Sequence, residues 1–397
     1  MTSPRTEWSA LLSELERIGN DALARLPDPD DALARARLCQ LMLRDLGAGY
    51  LSHVHHDAEY PQLPVRFSGL FRGQFPNADD SIQVAPIDEH GVYRISGDRG
   101  TVHFVSVEIG SGQLVPLGTG AMGPGLAEHD LDALPATRDG RVEVVLSRVR
   151  PPGYEGTWWA LDPGATHVLV RQRHYDWRTE ISARLAIERL DRPARPPLPT
   201  APQLFERLCR SVAWLDSHVQ LSLAHPIVER WREAGFINRV DTRAVTEPGR
   251  VPHLHYTRGL FALDEGHALV LETDVPDGCR YWCVHLADDL ACTLDYTHHQ
   301  STLNGHTARP DADGKFRAVV SPADPGVAHW LDTVGRRDGM LLIRWHGCRR
   351  APTATVRVVA LASLRDHMPA DTRWVSAAQR EEALRERNRA AQMRQPW

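Results

Sequence analysis

Two stretches of the chain contain the same succession of short β-type runs and turns, and this repetition restricts the fold more than any other feature. The distance between matched landmarks varies only from 171 residues (159 to 330) to 178 residues (100 to 278). The matched landmarks are 100–104 with 278–282, 139–147 with 313–321, Pro152-Gly153 with Pro325-Gly326, 159–162 with 330–332, and 169–171 with 342–344. Because the landmarks keep their order, the sequence indicates an internal duplication.

Each copy joins many short strand-like runs through turns that contain glycine and aspartate, which is typical of an antiparallel sandwich. The stretches before, between and after the copies have apolar residues at helical spacing. The sequence therefore predicts a mainly β protein, α+β overall, with two jelly-roll-like antiparallel β-sandwich domains and N-terminal, connecting and C-terminal helices. The predicted segments are 1–63 (N-terminal helical), 64–190 (first sandwich), 191–250 (proline-rich linker and helical connector), 251–362 (second sandwich) and 363–397 (C-terminal helix).

The composition is that of a globular protein. Of 397 residues, 42% are hydrophobic and 24% are charged, and the formal net charge is −5, so a general nucleic-acid binder is not expected. The N-terminus has no basic start followed by an apolar core, and no run of about 18 apolar residues occurs, so neither a secretion signal nor a membrane span is predicted. None of the six cysteines forms a Cys-x-x-Cys pair, and we therefore expect a cytoplasmic protein with reduced thiols.

The second copy carries the motifs of a known family. As they occur here, the motifs are Arg280-Tyr281-Trp282, Leu294-Asp295-Tyr296, Ser301, Leu303-Asn304, Asp324-Pro325-Gly326, Trp330-Leu331-Asp332-Thr333 and Arg344-Trp345. Over residues 266–346 the chain resembles the domain of unknown function 1214 family. The upstream motifs Asn77-Ala78-Asp79-Asp80 and His174-Tyr175-Asp176-Trp177 are similar to the leading part of such proteins. The resemblance implies tandem β-sandwich domains, and it implies no activity because the family is named for lacking one.

The segment that follows Leu294 combines side chains that can transfer protons. On an extended chain Asp295 and His299 share one face, while Tyr296 and His298 share the other. Asp295 is the candidate base or imidazole-orienting group, His298 or His299 the proton shuttle, and Tyr296 the donor, since imidazole titrates near neutrality. The alternative is that Asp295 and Asn304 only satisfy backbone groups around the following turn.

Other polar side chains are candidates for substrate binding. In His253-Leu254-His255-Tyr256, strand alternation directs both histidines to one face. Clustered carboxylate and amide groups at Asn77 and Asp79 suit a polar ligand or a hard cation. Arg344 is expected to pair with a carboxylate such as Asp295 or Asp332. The candidate substrate-binding residues are Asn77, Asp79, His255, Tyr256, Ser301, Asn304 and Arg344. Structural histidines and a turn rich in Asn and Asp are the alternatives.

No cofactor is expected, although one segment contains a weak divalent-metal pattern. His53, His55 and Glu59 form His-x-His-x3-Glu, the first half of a cupin-like metal motif. On a strand, His53 and His55 would face the same way, as joint ligation requires. The segment follows a predicted helix that Gly47 is expected to end, and no second half of the motif follows, so a polar loop is the alternative.

Two functions are compatible with these patterns. The first is a cofactor-independent enzyme that performs acid–base chemistry, hydrolysis or elimination, on a small organic substrate in the cleft between the sandwiches. The second is a non-catalytic ligand-binding or assembly scaffold protein, because tandem sandwiches serve that role readily. No nucleic-acid or membrane partner is expected, and a homo-oligomer is compatible with the sequence. An enzyme requires a concave pocket where the acid–base groups converge.

Overall fold

The computed structural model describes residues 4–26, 28–67, 75–112, 125–134, 140–223, 226–244 and 254–394. Of the sequence features above, Asp139 and His253 lie outside these ranges. No helix within them has the length and apolar character needed to cross a bilayer.

Three helices pack together beside the sandwiches: α1 (Pro4–Ala24), α2 (Ala32–His53) and α3 (Ala201–Leu223). The Asp31 carboxylate caps α2 by accepting from the backbone N–H of Leu33 at 2.8 Å, which satisfies a donor that the first turn leaves open. Gly47 does not end α2 as expected. The nearby Gly49 lets α3 approach closely, because a Cβ there would lie 2.7 Å from the Ser211 carbonyl oxygen. Gly49 therefore permits a close helix crossing, and α2 continues to His53.

The described residues of the first sandwich form nine strands. They are β1 (Val65–Phe67), β2 (Asp80–Pro86), β3 (Tyr93–Asp98), β4 (Phe104–Ser111), β5 (Gly125–Asp130), β6 (Arg141–Ser147), β7 (Trp158–Ala160), β8 (Ala165–Arg173) and β9 (Arg184–Arg189). One sheet has the order β1-β2-β8-β4-β5 and the other β7-β6-β3-β9. Alternate residues of both sheets, such as Val107 and Val170 from one and Ile95 and Val144 from the other, form a shared apolar core.

The second sandwich repeats this arrangement. Its strands are β10 (Arg239–Ala244), β11 (His255–Ala262), β12 (His267–Asp274), β13 (Tyr281–Ala287), β14 (Thr302–Asn304), β15 (Lys315–Ser321), β16 (Trp330–Asp332), β17 (Asp338–His346) and β18 (Ala354–Ala360). The sheet orders are β10-β11-β17-β13-β14 and β16-β15-β12-β18. Adding nine to every strand number of the first sandwich reproduces both orders, as the predicted duplication requires. The strands of this copy begin at β10, inside the segment that the sequence assigned to the connector.

One hydrogen bond recurs in both copies and fixes the register between them. The indole N–H of Trp158 donates to Ser147 Oγ at 3.0 Å, and that of Trp330 donates to the Ser321 carbonyl oxygen at 3.0 Å. Each tryptophan lies on a short strand that runs parallel to the strand carrying the serine. Trp158 is therefore the counterpart of Trp330, and the sequence alignment, which used Trp159, is wrong by one residue at this strand.

Two helices and a disulfide complete the described chain. Helix α4 (Pro226–Glu233) follows α3, and helix α5 (Ala377–Arg394) extends from the second sandwich back toward the first. Cys279 and Cys348 form a disulfide across 69 residues. The expectation that all six thiols are reduced is wrong for this pair, because the duplicated fold brings the start of β13 against the end of β17.

Candidate functional site

A cavity of about 740 Å³ lies where the two sandwiches and α5 meet, and we call it the junction cavity. The first sandwich contributes Asp79 and the segment 176–178. The second contributes residues between 300 and 329, and the rest of the wall comes from residues between 368 and 390. The sequence analysis expected the ligand cleft between the sandwiches, and the junction cavity occupies that place.

Asp79 is a buried carboxylate in the wall of the junction cavity, and side chains from both sandwiches donate hydrogen bonds to it. The residue is 1% exposed. Its Oδ1 accepts from Trp177 Nε1 at 2.7 Å and from Asn304 Nδ2 at 3.1 Å, and its Oδ2 accepts from the Tyr281 hydroxyl at 2.5 Å. A carboxylate has about four acceptor sites, so one remains for a ligand.

Burial raises the pKa of Asp79 above its ordinary value, although the hydrogen bonds from Tyr281, Trp177 and Asn304 oppose this shift. Burial has this effect because it removes water from the charged form, whereas donors that point at the oxygens favour that form. Burial also raises the pKa of Tyr281 well above 10, so its phenol remains a donor at neutral pH. Burial therefore favours the protonated form of this carboxyl group more than water does.

A second buried network lies directly behind Asp79. Asn77 Nδ2 donates to the Tyr281 hydroxyl at 2.8 Å and to Asp80 Oδ1 at 3.2 Å. Asp80 also accepts from Arg173 through both oxygens, at 2.7 and 3.0 Å. The Arg173 guanidinium lies 4.5 Å from the centre of the Tyr281 ring. These contacts hold the phenol in place, and with it the geometry around Asp79.

Helix α5 contributes Arg387 to the wall of the junction cavity, and Arg387 and Arg394 both contact Trp177. The guanidinium carbon of Arg387 lies 4.5 Å from a ring centroid of Trp177, and that of Arg394 lies 4.1 Å from it. Arg387 Nε donates to the Tyr296 carbonyl oxygen at 2.5 Å, whereas its Nη2 is buried and has no hydrogen-bond partner in the described part of the chain. Burial lowers the pKa of Arg387 to about 10, which leaves the group charged near neutral pH.

The remaining charges of the wall are unevenly matched. Arg178 pairs with Asp176 and Glu386, at 3.7 and 2.8 Å. Arg317 pairs with Asp311 at 2.8 Å. Three arginines of the wall, by contrast, form no ion pair with a carboxylate in the part of the chain that the structure describes. These are Arg309, Arg373 and Arg387. The junction cavity therefore contains unpaired positive charge.

The four predicted catalytic residues do not meet in one hollow, and none of them lines the junction cavity. His298 Nδ1 lies 2.9 Å from Asp295 Oδ2 in an exposed pair, and His299 Nδ1 lies 2.7 Å from Asp332 Oδ2. Tyr296 is 2% exposed and packs edge-on against Trp177. The segment curls after Asp295, whose Oδ1 accepts from the backbone of Thr297 and of His298, so the predicted alternation of faces does not occur.

The predicted substrate-binding residues divide into two groups. Asn77, Asp79 and Asn304 belong to the connected buried network described above. Four others do not line the junction cavity. His255 Nε2 lies 3.0 Å from the Cys348 carbonyl oxygen, and Ser301 is fully buried, with no partner for its hydroxyl among the residues that the structure describes.

Arg344 and Tyr256 complete the second group. Arg344 does not pair with Asp295 or Asp332. Its guanidinium lies 5.7 Å from the centre of the Tyr256 ring and 3.0 Å from the ring nitrogens of His285, and it donates to the Phe75 carbonyl oxygen. Arg344 lies on β17, between β11 and β13, and its contacts are with residues of these two strands and with Phe75.

The candidate metal ligands His53, His55 and Glu59 do not converge. His53 is the last residue of α2, so the strand-like alternation assumed for His53 and His55 is wrong. His55 Nε2 lies 2.9 Å from Gln62 Oε1, and Glu59 pairs with Arg189 at 2.8 Å. Among the described residues, no group of three or more His, Cys, Asp or Glu side chains has the arrangement to hold a metal ion.

Several residues of the junction cavity were not predicted. His306 follows the Asn304-Gly305 turn, lines the wall and lies 3.6 Å from Asp176. Arg309, Arg373 and Arg387 also lack a local signal, because isolated arginines are frequent in this chain. Their common site depends on α5 folding back over the second sandwich, and no sequence periodicity reports such a contact.

Comparisons with known proteins give a family and a close structural relative without an assigned activity. Residues 260–350 match a family model described as "Protein of unknown function (DUF1214)". The crystal structure of an uncharacterized protein from Burkholderia cenocepacia is 31% identical, with a TM-score of 0.80 over 90% of this chain and 97% of that one. The VPA0106 protein from Vibrio parahaemolyticus is 13% identical, with a TM-score of 0.44 over 81% of this chain and 98% of that one. No curated protein is significantly similar to the chain.

Proposed function

The chain belongs to the DUF1214 family, and we propose that it is an enzyme that performs acid–base chemistry on a small organic molecule in the junction cavity. The reaction class is hydrolysis or elimination, because both need only a proton acceptor and a proton donor in fixed positions. No organic cofactor takes part in this proposal.

Asp79 is the observation that supports the proposal. A carboxyl group that is 1% exposed, has a raised pKa and forms part of a cavity wall combines the properties expected of a general acid or base. Hydrogen bonds from both sandwiches hold it in one orientation, so its free acceptor site has a fixed direction. Such preorganisation lowers the cost of proton transfer to a bound molecule.

The other groups have supporting roles in this proposal. Tyr281 and Asn304 are positioning residues, since each donates to Asp79 and neither is free to donate elsewhere through the same hydrogen. His306, whose side chain is 41% exposed at the cavity wall, is the partner that delivers or removes the second proton.

A non-catalytic ligand-binding role is the second candidate, and one observation favours it. Asp79 already accepts three hydrogen bonds at 2.5 to 3.1 Å, as a carboxylate in a purely structural network does. In that case the junction cavity would bind its ligand and release it unchanged.

The test uses Asp79→Asn together with Asp98→Asn as a matched control, because Asp98 does not line the junction cavity and its side chain, which pairs with Arg184, is 45% exposed. Proteins are incubated in D₂O with a panel of small hydroxy acids, amides and esters, and proton NMR follows product formation and deuterium uptake. We expect turnover by the wild type and the control, and a rate about 10²- to 10⁴-fold lower for Asp79→Asn. Ligand binding without turnover by the wild type would favour the non-catalytic role, and equal rates for both variants would exclude Asp79 as the acid–base group.

A further inference from the structure

We propose that the ligand of the junction cavity is an organic anion, whose carboxylate or phosphate group is bound by Arg309 and Arg373. This inference rests on the proposed function only for the choice of cavity. It adds the chemical class of the ligand and the end of the cavity at which its charged group lies.

The first observation that supports an anionic ligand is the balance of charged residues in the cavity wall. Six arginines and five carboxylates line it. The arginines are Arg178, Arg309, Arg317, Arg373, Arg380 and Arg387, and the carboxylates are Asp79, Asp176, Asp311, Asp371 and Glu386. Among these carboxylates, Asp176, Glu386 and Asp311 already have arginine partners. Arg380 is satisfied behind the wall by Asp324 at 3.0 Å. The excess of unpaired groups is therefore cationic.

Two carboxyl groups of the cavity wall, Asp371 and Asp79, form no ion pair with an arginine among the described residues, so three unpaired arginines stand against two unpaired carboxyl groups. Asp371 Oδ2 accepts from the backbone N–H of Ala312 at 2.7 Å and is in no ion pair within the described ranges. Asp79 accepts from three neutral donors, and burial favours its uncharged form. The groups of the wall that form no ion pair in the described chain are thus three guanidinium groups, one exposed carboxylate and one buried carboxyl group. An anionic ligand relieves this imbalance, whereas a cationic ligand increases it.

Arg309 and Arg373 belong to the same end of the cavity, because both flank His329. The backbone N–H of Arg309 donates to His329 Nε2 at 3.3 Å. The backbone oxygen of Arg373 accepts from Ala328, the residue before that histidine, at 2.8 Å. The Arg317 carbonyl oxygen lies 3.0 Å from His329 Nδ1, and since a carbonyl only accepts, Nδ1 carries the hydrogen and Nε2 is the acceptor. His329 is therefore a neutral positioning residue for this end.

The two ends of the cavity differ in the chemistry that they offer. At the His329 end, two exposed guanidinium groups can each present paired N–H donors to the two oxygens of a carboxylate or phosphate. At the α5 end, Arg387, whose Nη2 is buried without a hydrogen-bond partner among the described residues, lines the same cavity as Asp79. A ligand anchored by its anionic group at the first end extends its remaining part toward the acid–base group at the second.

The inference is tested by isothermal titration calorimetry of the full chain with malonate, inorganic phosphate and the neutral analogue malonamide. The variants are Arg309→Gln and Arg373→Gln, singly and together. The matched control is Arg349→Gln, an exposed arginine outside the cavity that has no ion pair in the described chain. Because Arg309 and Arg373 are exposed, we expect the variants to fold. Thermal unfolding of each protein checks this.

We expect at least one of the two anions to bind to the wild type and to the control, to bind more weakly at high salt, and to lose about tenfold in affinity with each single substitution. Preference for malonate over phosphate identifies a carboxylate ligand, and the reverse preference identifies a phosphate ester. Absence of binding by both anions, or equal binding by the double variant, overturns the inference. If the arginine variants lose anion binding while the wild type shows no turnover, the ligand class is supported and the proposed enzyme activity fails. If the wild type turns over only neutral compounds, the proposed enzyme activity is supported and the anionic ligand class fails.

Discussion

Substitution of Asp80 by Asn removes the carboxylate at the centre of the buried network behind the junction cavity. The Asp80 side chain is 2% exposed, and its partners Arg173 and Arg171 are 8% and 18% exposed. Arg173 donates two hydrogen bonds to it and Arg171 donates one at 3.0 Å. After Asp80→Asn, the Arg173 guanidinium would lose its carboxylate partner in a poorly solvated place, and Arg171 would keep only the more distant Glu108, at 3.8 Å.

The expected loss of unfolding free energy is large because the arginines stay buried. Removing one partner of a buried ion pair typically costs about 3–5 kcal/mol, since the desolvation of the other partner is no longer compensated. Adding Arg173→Met to Asp80→Asn should recover part of this loss, because it removes one of the stranded charges. The control Asp98→Asn breaks a pair whose side chains are 80% and 45% exposed, and it should cost no more than about 1 kcal/mol.

Urea unfolding measures these differences, followed by both tryptophan fluorescence and circular dichroism so that coincident transitions justify a two-state free energy. Burial alone raises the pKa of Asp80, but Arg173 and Arg171 together hold it well below its usual range. The stabilisation is therefore complete above about pH 4, the pKa of Asp in the unfolded chain, and is lost as the pH falls below that value. A loss for Asp80→Asn at pH 7 that equals the loss for Asp98→Asn would refute this reasoning.

Two further predictions concern the helices and the second sandwich. Burial raises the pKa of Asp45 to about 6, so the unfolding free energy should fall by about 2–3 kcal/mol as the pH rises from about 4 to 6. Asp45→Asn should remove this pH dependence, which urea titrations at both pH values measure. An unchanged dependence of the unfolding free energy on pH in the variant would contradict the prediction. The Cys279–Cys348 disulfide closes a loop of 69 residues, so reduction, or serine at both positions, should lower the stability by about 4 kcal/mol. The exposed Cys39→Ser is the control for the second measurement, and equal stability with and without reductant would count against the disulfide.

The sandwiches were predictable because their determinants are local. Alternating apolar residues and turns such as Asp313-Gly314 appear in the sequence itself, and Gly314 has a positive φ of 80° in the structure, as the turn requires. The duplication doubled this signal. The alignment still slipped by one residue at Trp158, because two adjacent tryptophans match Trp330 equally well by residue type, and only the folded structure, through the strand register and the hydrogen bond to Ser147, distinguishes them.

The site was less predictable because its contacts join distant parts of the chain. Asp79 and Tyr281 are 202 residues apart, and Asp79 and Asn304 are 225 residues apart. Each motif was recognisable, yet no pattern within a motif shows that the others lie beside it. The Asp295 segment was favoured because it collects proton-transferring side chains over a few residues, and the structure uses His298 to pair locally with Asp295 instead.

Helix α5 also gives the molecule an order of assembly during translation. Both sandwiches precede α5 in the chain, and domains generally begin to fold as they leave the ribosome. Arg387 and Arg394, which cover Trp177, emerge after every strand that the structure describes has been synthesised. A nascent chain can thus hold two folded sandwiches while the junction cavity is still open on one side.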